Sequence, residues 1–257
     1  MEVHHHSDVH HKRKKFKEYF LEFLMIFLAV TMGFFAESLR ENISKHEKER
    51  RLMIMMVEDL KADIPKLDTI IERNTTKISS LDTLRGLIYE SIEKKLPDTV
   101  TRKMYYIFRM YAANLYGFTP TERTLDQFDK NDAFSLIRKQ KISDSILNYR
   151  EYDGRINDQI RVFDEQYQRR AVECSEKIFD PRILESFSTR DSAEAFLHSD
   201  KHFQLLTYDV QTLLIFGSAV FRSRGVLYNY VRLLKGQKQR AKSIAALITK
   251  EYDLNDE

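Results

Sequence analysis

The chain has 257 residues with 42 Lys and Arg against 39 Asp and Glu, and the two signs are interleaved, which excludes the basic stripe of a nucleic-acid binder. A single cysteine, Cys174, excludes an intrachain disulfide framework. Seven Gly and four Pro are too few for a fold rich in strands and tight turns, so the composition points to long helices.

Residues 1–11 read MEVHHHSDVHH. Neutral imidazoles are common metal ligands, but Ser7, Asp8 and Val9 interrupt the histidines, and the stretch reads as a polar tail with no metal site. Lys12, Arg13, Lys14, Lys15 and Lys17 follow and complete a His-rich, basic tail over 1–18.

From Tyr19 to Ala36 the sequence is YFLEFLMIFLAVTMGFFA. At about 1.5 Å rise per residue, a helix of this length covers roughly 27 Å, close to the hydrocarbon thickness of a bilayer. The run predicts one transmembrane helix over 19–37. It is too long for the apolar part of a signal peptide, and Phe34-Phe35-Ala36-Glu37 is a poor cleavage site. The basic cluster immediately before it places the N-terminus in the cytoplasm and the rest of the chain outside. Glu22, Ile26, Ala29, Gly33 and Ala36 follow one another at steps of four and three, so they share a helix face. Small residues there permit close approach of a second membrane helix, which makes this face the candidate packing surface. Glu22 either belongs to that surface or snorkels toward the basic flank.

Residues 38–257 read as a helical bundle domain with a membrane-proximal stalk. The stalk segment SKHEKERR, 44–51, is charged on every side. An apolar seam then runs Met53, Met56, Leu60, Ile64, Leu67, Ile71, Asn74, Ile78, Leu81, Arg85, Ile88, Ile92, alternating three and four with one slip at Leu60–Ile64. Pro65 predicts a kink or restart, with Asp63 as the new cap. Thr101 to Tyr116 is a short, aromatic helix. Thr119-Pro120-Thr121-Glu122 reads as a helix start, and that helix resumes after Asn131-Asp132 as Ala133 to Lys139. A long helix over 142–179 has the seam Ile142, Ile146, Tyr149, Asp153, Ile156, Ile160, Phe163, Tyr167, Ala171, Cys174, Ile178, which makes Cys174 a buried structural thiol. Asp180-Pro181 stops it, and Ser188 to Asp191 cap one short helix. The last helix, 202–249, carries Phe203, Leu206, Val210, Leu213, Gly217, Val220, Arg224, Leu227, Val231 and Leu234, with Gly217 marking a close helix approach. The fold class expected is all-α: a transmembrane helix continuing into an elongated antiparallel bundle of long, heptad-patterned, coiled-coil-like helices.

Two blocks carry a family resemblance. The first is Glu22, Gly33 and Ala36 with the polar exit Glu37-Ser38-Leu39-Arg40-Glu41. The second is Thr124-Leu125-Asp126-Gln127-Phe128, then Phe134-Ser135-Leu136-Ile137 and Ile146-Leu147-Asn148-Tyr149. With these blocks, about a third of the chain, it resembles an uncharacterised family of single-span membrane proteins from Bacteroidota-type bacteria. The family commonly has a Gly near Asp132, where this chain has Asn131-Asp132. The resemblance implies membrane anchoring and a helical domain, and no catalytic residues.

The sequence holds no phosphate-cradling Gly loop, no His-Glu-x-x-His, no Gly-x-Ser-x-Gly and no paired Cys. His198, Asp200 and His202 are the one local cluster of ligating residue types; Ser199-Asp200 reads as a cap, and the histidines as ordinary surface residues. The expectation is a non-enzymatic, membrane-anchored structural or interaction protein with no cofactor. Its place is a bacterial inner membrane, N-terminus cytoplasmic and helical domain periplasmic. Its partners are lipid and either a second copy or another membrane or envelope protein. The alternative is a sensor-like domain that binds a small ligand between helices, lined by Tyr105, Tyr106 and Tyr111.

Overall fold

The computed structural model describes residues 16–130, 133–187 and 189–254; the His-rich tail, Asn131 and Asp132 lie outside them. Among the described residues every regular element is helical. The order is α1 (Phe16–Glu93), α2 (Asp98–Ile107), a π-helical turn (Phe108–Ala112), α3 (Arg123–Lys130), a 3-10 turn (Ala133–Leu136), α4 (Gln140–Val162), a second π-helical turn (Phe163–Gln168), α5 (Arg169–Ser175), α6 (Pro181–Glu185), α7 (Arg190–Leu197) and α8 (Val210–Glu251). The chain falls into two compact units, Met1–Arg51 and Leu52–Glu257, and the expected stalk lies in the first.

Within the second unit three long helices pack side by side. Asp68 meets Lys238, Asp82 meets Arg224, and Tyr89 lies against Gly217. The two residue numbers add to the same total in all three pairs, so α8 runs antiparallel to α1. Gln237 Nε2 donates to the Tyr149 carbonyl at 3.1 Å and Asn229 Nδ2 to Gln159 Oε1 at 3.2 Å, so α8 is antiparallel to α4 as well. α1 and α4 are therefore parallel. Tyr149 and Asp63 are bonded partners 86 residues apart, and Phe163 sits against Lys77 at the same offset.

The seam of α1 differs from the apolar reading. Met53, Met56, Leu60, Asp63, Leu67, Asn74, Lys77, Leu81, Leu84, Ile88 and Ser91 are all buried. With half-buried Ile70 they alternate three and four without a slip. The slip expected at Ile64 came from preferring the apolar neighbours Ile64, Ile78 and Ile92 to the polar residues that occupy the core positions. α8 behaves alike: Leu213, Phe216, Val220, Ser223, Leu227, Tyr230, Leu234, Gln237, Ala241, Ile244 and Ile248 form an unbroken buried seam.

Five further expectations are corrected. Pro65 does not break α1. It lies on the exposed side, where water can satisfy the carbonyl it leaves without a donor, and Thr69 Oγ1 donates to its own carbonyl at 3.0 Å. Thr119-Pro120 does not start a helix; α3 begins at Arg123, and its cap comes from α1. The 142–179 helix is interrupted by the second π-helical turn and ends at Ser175. That turn inserts one residue into the repeat, so Gln168 and Ser175 are buried where Tyr167 and Cys174 were expected, and Cys174 is only half-buried. Asp180-Pro181 starts α6, with the Asp180 carboxylate accepting from Arg182 N, and does not stop the long helix. The last helix begins eight residues late, because Asp209 supplies the cap by accepting from Thr212 N at 2.8 Å. Two expectations hold: Thr189 caps α7 in a reciprocal pair with Ser192, and Gly217 is a point of close approach.

Candidate functional site

Three regions carry the chemistry of this molecule. The first is the apolar run at the start of α1. Its most apolar 18-residue window has a mean hydropathy of 2.0, and none of it is buried within the protein. Phe20, Phe23, Phe27, Met32, Phe34 and Phe35 are all more than half exposed, so the run is apolar on every side and not on one stripe. Within it, Thr31 Oγ1 donates to the Phe27 carbonyl at 2.7 Å and is satisfied without water. Glu22, Ile26, Ala29, Gly33 and Ala36 are exposed along α1, and a Cβ placed on Gly33 would meet nothing within 4 Å. The small-residue face is uncovered.

The second region is a column of buried polar side chains through the bundle. At one end Asp59 and Asp63, one turn apart on α1, hold the N-terminus of α3. Asp59 Oδ2 accepts from Thr124 N at 2.8 Å and Thr124 Oγ1 at 2.6 Å; Asp63 Oδ1 accepts from Thr121 N at 2.8 Å and Thr121 Oγ1 at 2.7 Å. Asp59 satisfies an amide that the helix cannot pair internally, Asp63 holds the chain that leads into it, and both carboxylates complement its dipole. Tyr149 OH donates to Asp63 Oδ2 at 2.8 Å, and burial beside that carboxylate holds its phenol protonated, with the pKa pushed up. Asp153, one turn along α4, is pushed up to about 6 by burial and then by Glu122, while Asn157 donates to it.

Lys77 occupies the middle of the column. It is 1% exposed, donates to the Asn114 carbonyl and to Gln168 Oε1, and lies 5.0 Å from the centre of the Phe163 ring. Gln168 Nε2 donates onward to the Ala113 carbonyl at 3.2 Å, and Asn74 Nδ2 to the Tyr116 carbonyl at 3.0 Å. These contacts explain both π-helical turns. The chain leaving Ala112 carries carbonyls with no helical partner, and Asn74, Lys77 and Gln168 supply the donors. Gln168 reaches them because the second π-helical turn rotates it inward. Burial lowers the Lys77 pKa to about 7, against the opposing charge of Asp164. Sequence periodicity passed over Lys77 in favour of Ile78. The available signal was the register itself, since an unbroken alternation of three and four from Met53 passes through position 77.

The third region is the aromatic stretch of α2. Tyr105 is core and not pocket lining: it is fully buried, its hydroxyl donates to the Gln204 carbonyl and accepts from Asp180 N, both at 2.9 Å, and its ring packs edge-on against Phe179. Tyr106 and Tyr111 meet edge to face at 6.2 Å. Of the three tyrosines that the ligand-binding alternative invokes, Tyr106 borders an open groove of 420 Å³ beside Thr83, Lys103 and Leu197. The histidine cluster is also dispersed. His198 ends α7, and His202 pairs with Asp98 on α2. No group of three or more metal-ligating side chains occurs among the described residues.

No protein-family model, curated protein or solved structure matches the chain.

Proposed function

We propose that the chain is a membrane-anchored helical protein with a structural or partner-holding role, without catalysis. The observation that carries this reading is the unburied, all-round apolar run over Tyr19–Ala36. Such a surface in water would drive aggregation, whereas in a bilayer it is the expected exterior of a spanning helix. The resemblance to the single-span family supports the same reading. In this account the basic tail is cytoplasmic, 19–37 crosses a bacterial inner membrane, and the bundle faces the periplasm. Lipid contacts the span, and a second copy or another envelope protein uses the face of Glu22, Ile26, Ala29, Gly33 and Ala36. The burial of Tyr105 in the core and its occupied hydroxyl favour this over ligand sensing.

The test is extraction and topology together. The full chain should stay in the membrane fraction at alkaline pH, and a reporter active only in the cytoplasm, fused after Glu257, should be silent. Release at high pH sinks the anchor; strong reporter activity sinks the orientation.

A further inference from the structure

The N-terminal half of α8 has an outward face as well as a buried one. Val210, Leu214, Phe221 and Tyr228 share one side of the helix, the last three at intervals of seven, and are 48%, 49%, 51% and 64% exposed. A stripe at heptad spacing over this length matches the pitch of another helix and is too long for a small molecule.

Arginines outnumber carboxylates beside the stripe. On the α1 side Arg85 lies 5.4 Å over the Phe221 ring, and Arg85 and Arg224 share the single carboxylate of Asp82, at 3.4 Å and 2.9 Å. On the α5 side an open groove of 680 Å³ runs along Leu214, Ile215 and Ser218, bordered by Arg170, Arg222 and, at its end, Asp209, whose carboxylate is taken up in capping α8 through Thr212. Arg170 pairs only loosely with Glu173, at 3.7 Å, and Arg222 has no carboxylate partner among the described residues. A second copy docking through this face would set arginines against arginines.

We propose that this face receives an acidic amphipathic helix from a partner protein, its apolar residues on the stripe and its carboxylates toward Arg85, Arg170 and Arg222. Like the role proposed above it is an interaction, but it uses the bundle alone and stands whether or not the apolar run crosses a membrane.

The experiment uses the full chain in lipid nanodiscs and two synthetic helical peptides with identical leucine heptads, one flanked by Glu and one by Lys. The Glu peptide should bind at least about 10-fold more tightly, by fluorescence anisotropy, and Arg222→Glu should reverse the order. Leu214→Glu should abolish binding of the Glu peptide while the helical circular-dichroism signal and melting stay unchanged. Equal affinities for the two peptides, or an unaltered order in Arg222→Glu, would overturn the proposal. So would displacement of the Glu peptide by vesicles of anionic phospholipid, which would make this a lipid face. In the native host, a photoreactive residue at Phe221 should crosslink to a segment whose sequence is acidic and apolar at heptad spacing. Adducts only with lipid, only with a second copy, or none at all would refute it.

Discussion

The two ends of α1 make opposite uses of side-chain chemistry. Over Tyr19–Ala36 the residues are almost all apolar and none is buried within the protein. Over Met53–Ser91 the buried seam contains Asp63, Asn74, Lys77 and Ser91, while Ile64 and Ile78 sit beside it, half-buried. Hydrophobicity alone therefore does not locate the core of this helix. A polar side chain can be buried where a partner waits across the interface, because its hydrogen bonds offset the loss of water. An apolar side chain can stay outside where the surroundings are themselves apolar.

The largest blow to this contrast should come from Asp63. Replacing it with Ala strips partners from the half-buried Thr121 N and the buried Tyr149 OH together. We expect Asp63→Ala to cost about 3–5 kcal/mol of unfolding free energy, read by urea denaturation of the full chain in detergent. A loss below about 1 kcal/mol would show that the column does not hold the bundle together.

A pH titration isolates Lys77. Its folded pKa, about 7, lies below the usual lysine value of 10.5, so between these limits the unfolded chain binds more protons than the folded one. Stability should therefore rise with pH between about 7 and 9, by up to about 1.4 kcal/mol per unit, and the penalty of burying the charged amine is complete below pH 7. Nearer pH 10 the buried phenols of Tyr149 and Tyr230, which keep their protons in the folded state, oppose the rise. Asp153, raised to about 6, titrates mainly below this range and adds a small opposing slope only near pH 7. Lys77→Met should flatten the rise; an unchanged slope would assign it to another group.

Two glycines sharpen the contrast further. A Cβ at Gly217 would stand 2.8 Å from Tyr89 Cε1, whereas one at Gly33 meets open space. Gly217→Leu should destabilise the bundle by about 1–3 kcal/mol. Gly33→Leu should leave stability within about 0.5 kcal/mol, yet lower the yield of crosslinked species in native membranes. Wild-type crosslinking in that variant would mean that the small-residue face meets only lipid.

Much of the architecture was legible because periodicity is local. Seams alternating three and four at Met53–Leu60, Ile142–Ile156 and Leu213–Leu234 require helices with one buried face, whatever they pack against. That Glu22, Ile26, Ala29, Gly33 and Ala36 share one side of a helix follows from the same arithmetic. The length and hydropathy of the first apolar run likewise follow from composition alone.

The phase of each seam was decided only in three dimensions. Lys77 is a core residue because the carbonyl of Asn114 and the amide of Gln168 are brought to it from elements 37 and 91 residues away. The N-terminus of α3 is set by carboxylates from α1, so local capping signals at Thr119-Pro120 misplaced it. The π-helical turn at Phe163–Gln168 depends on the same long-range bonds, and it moves Cys174 off the buried face. A spacing rule states which residues share a side of a helix. Which of them can afford burial depends on donors and acceptors that arrive from elsewhere in the fold.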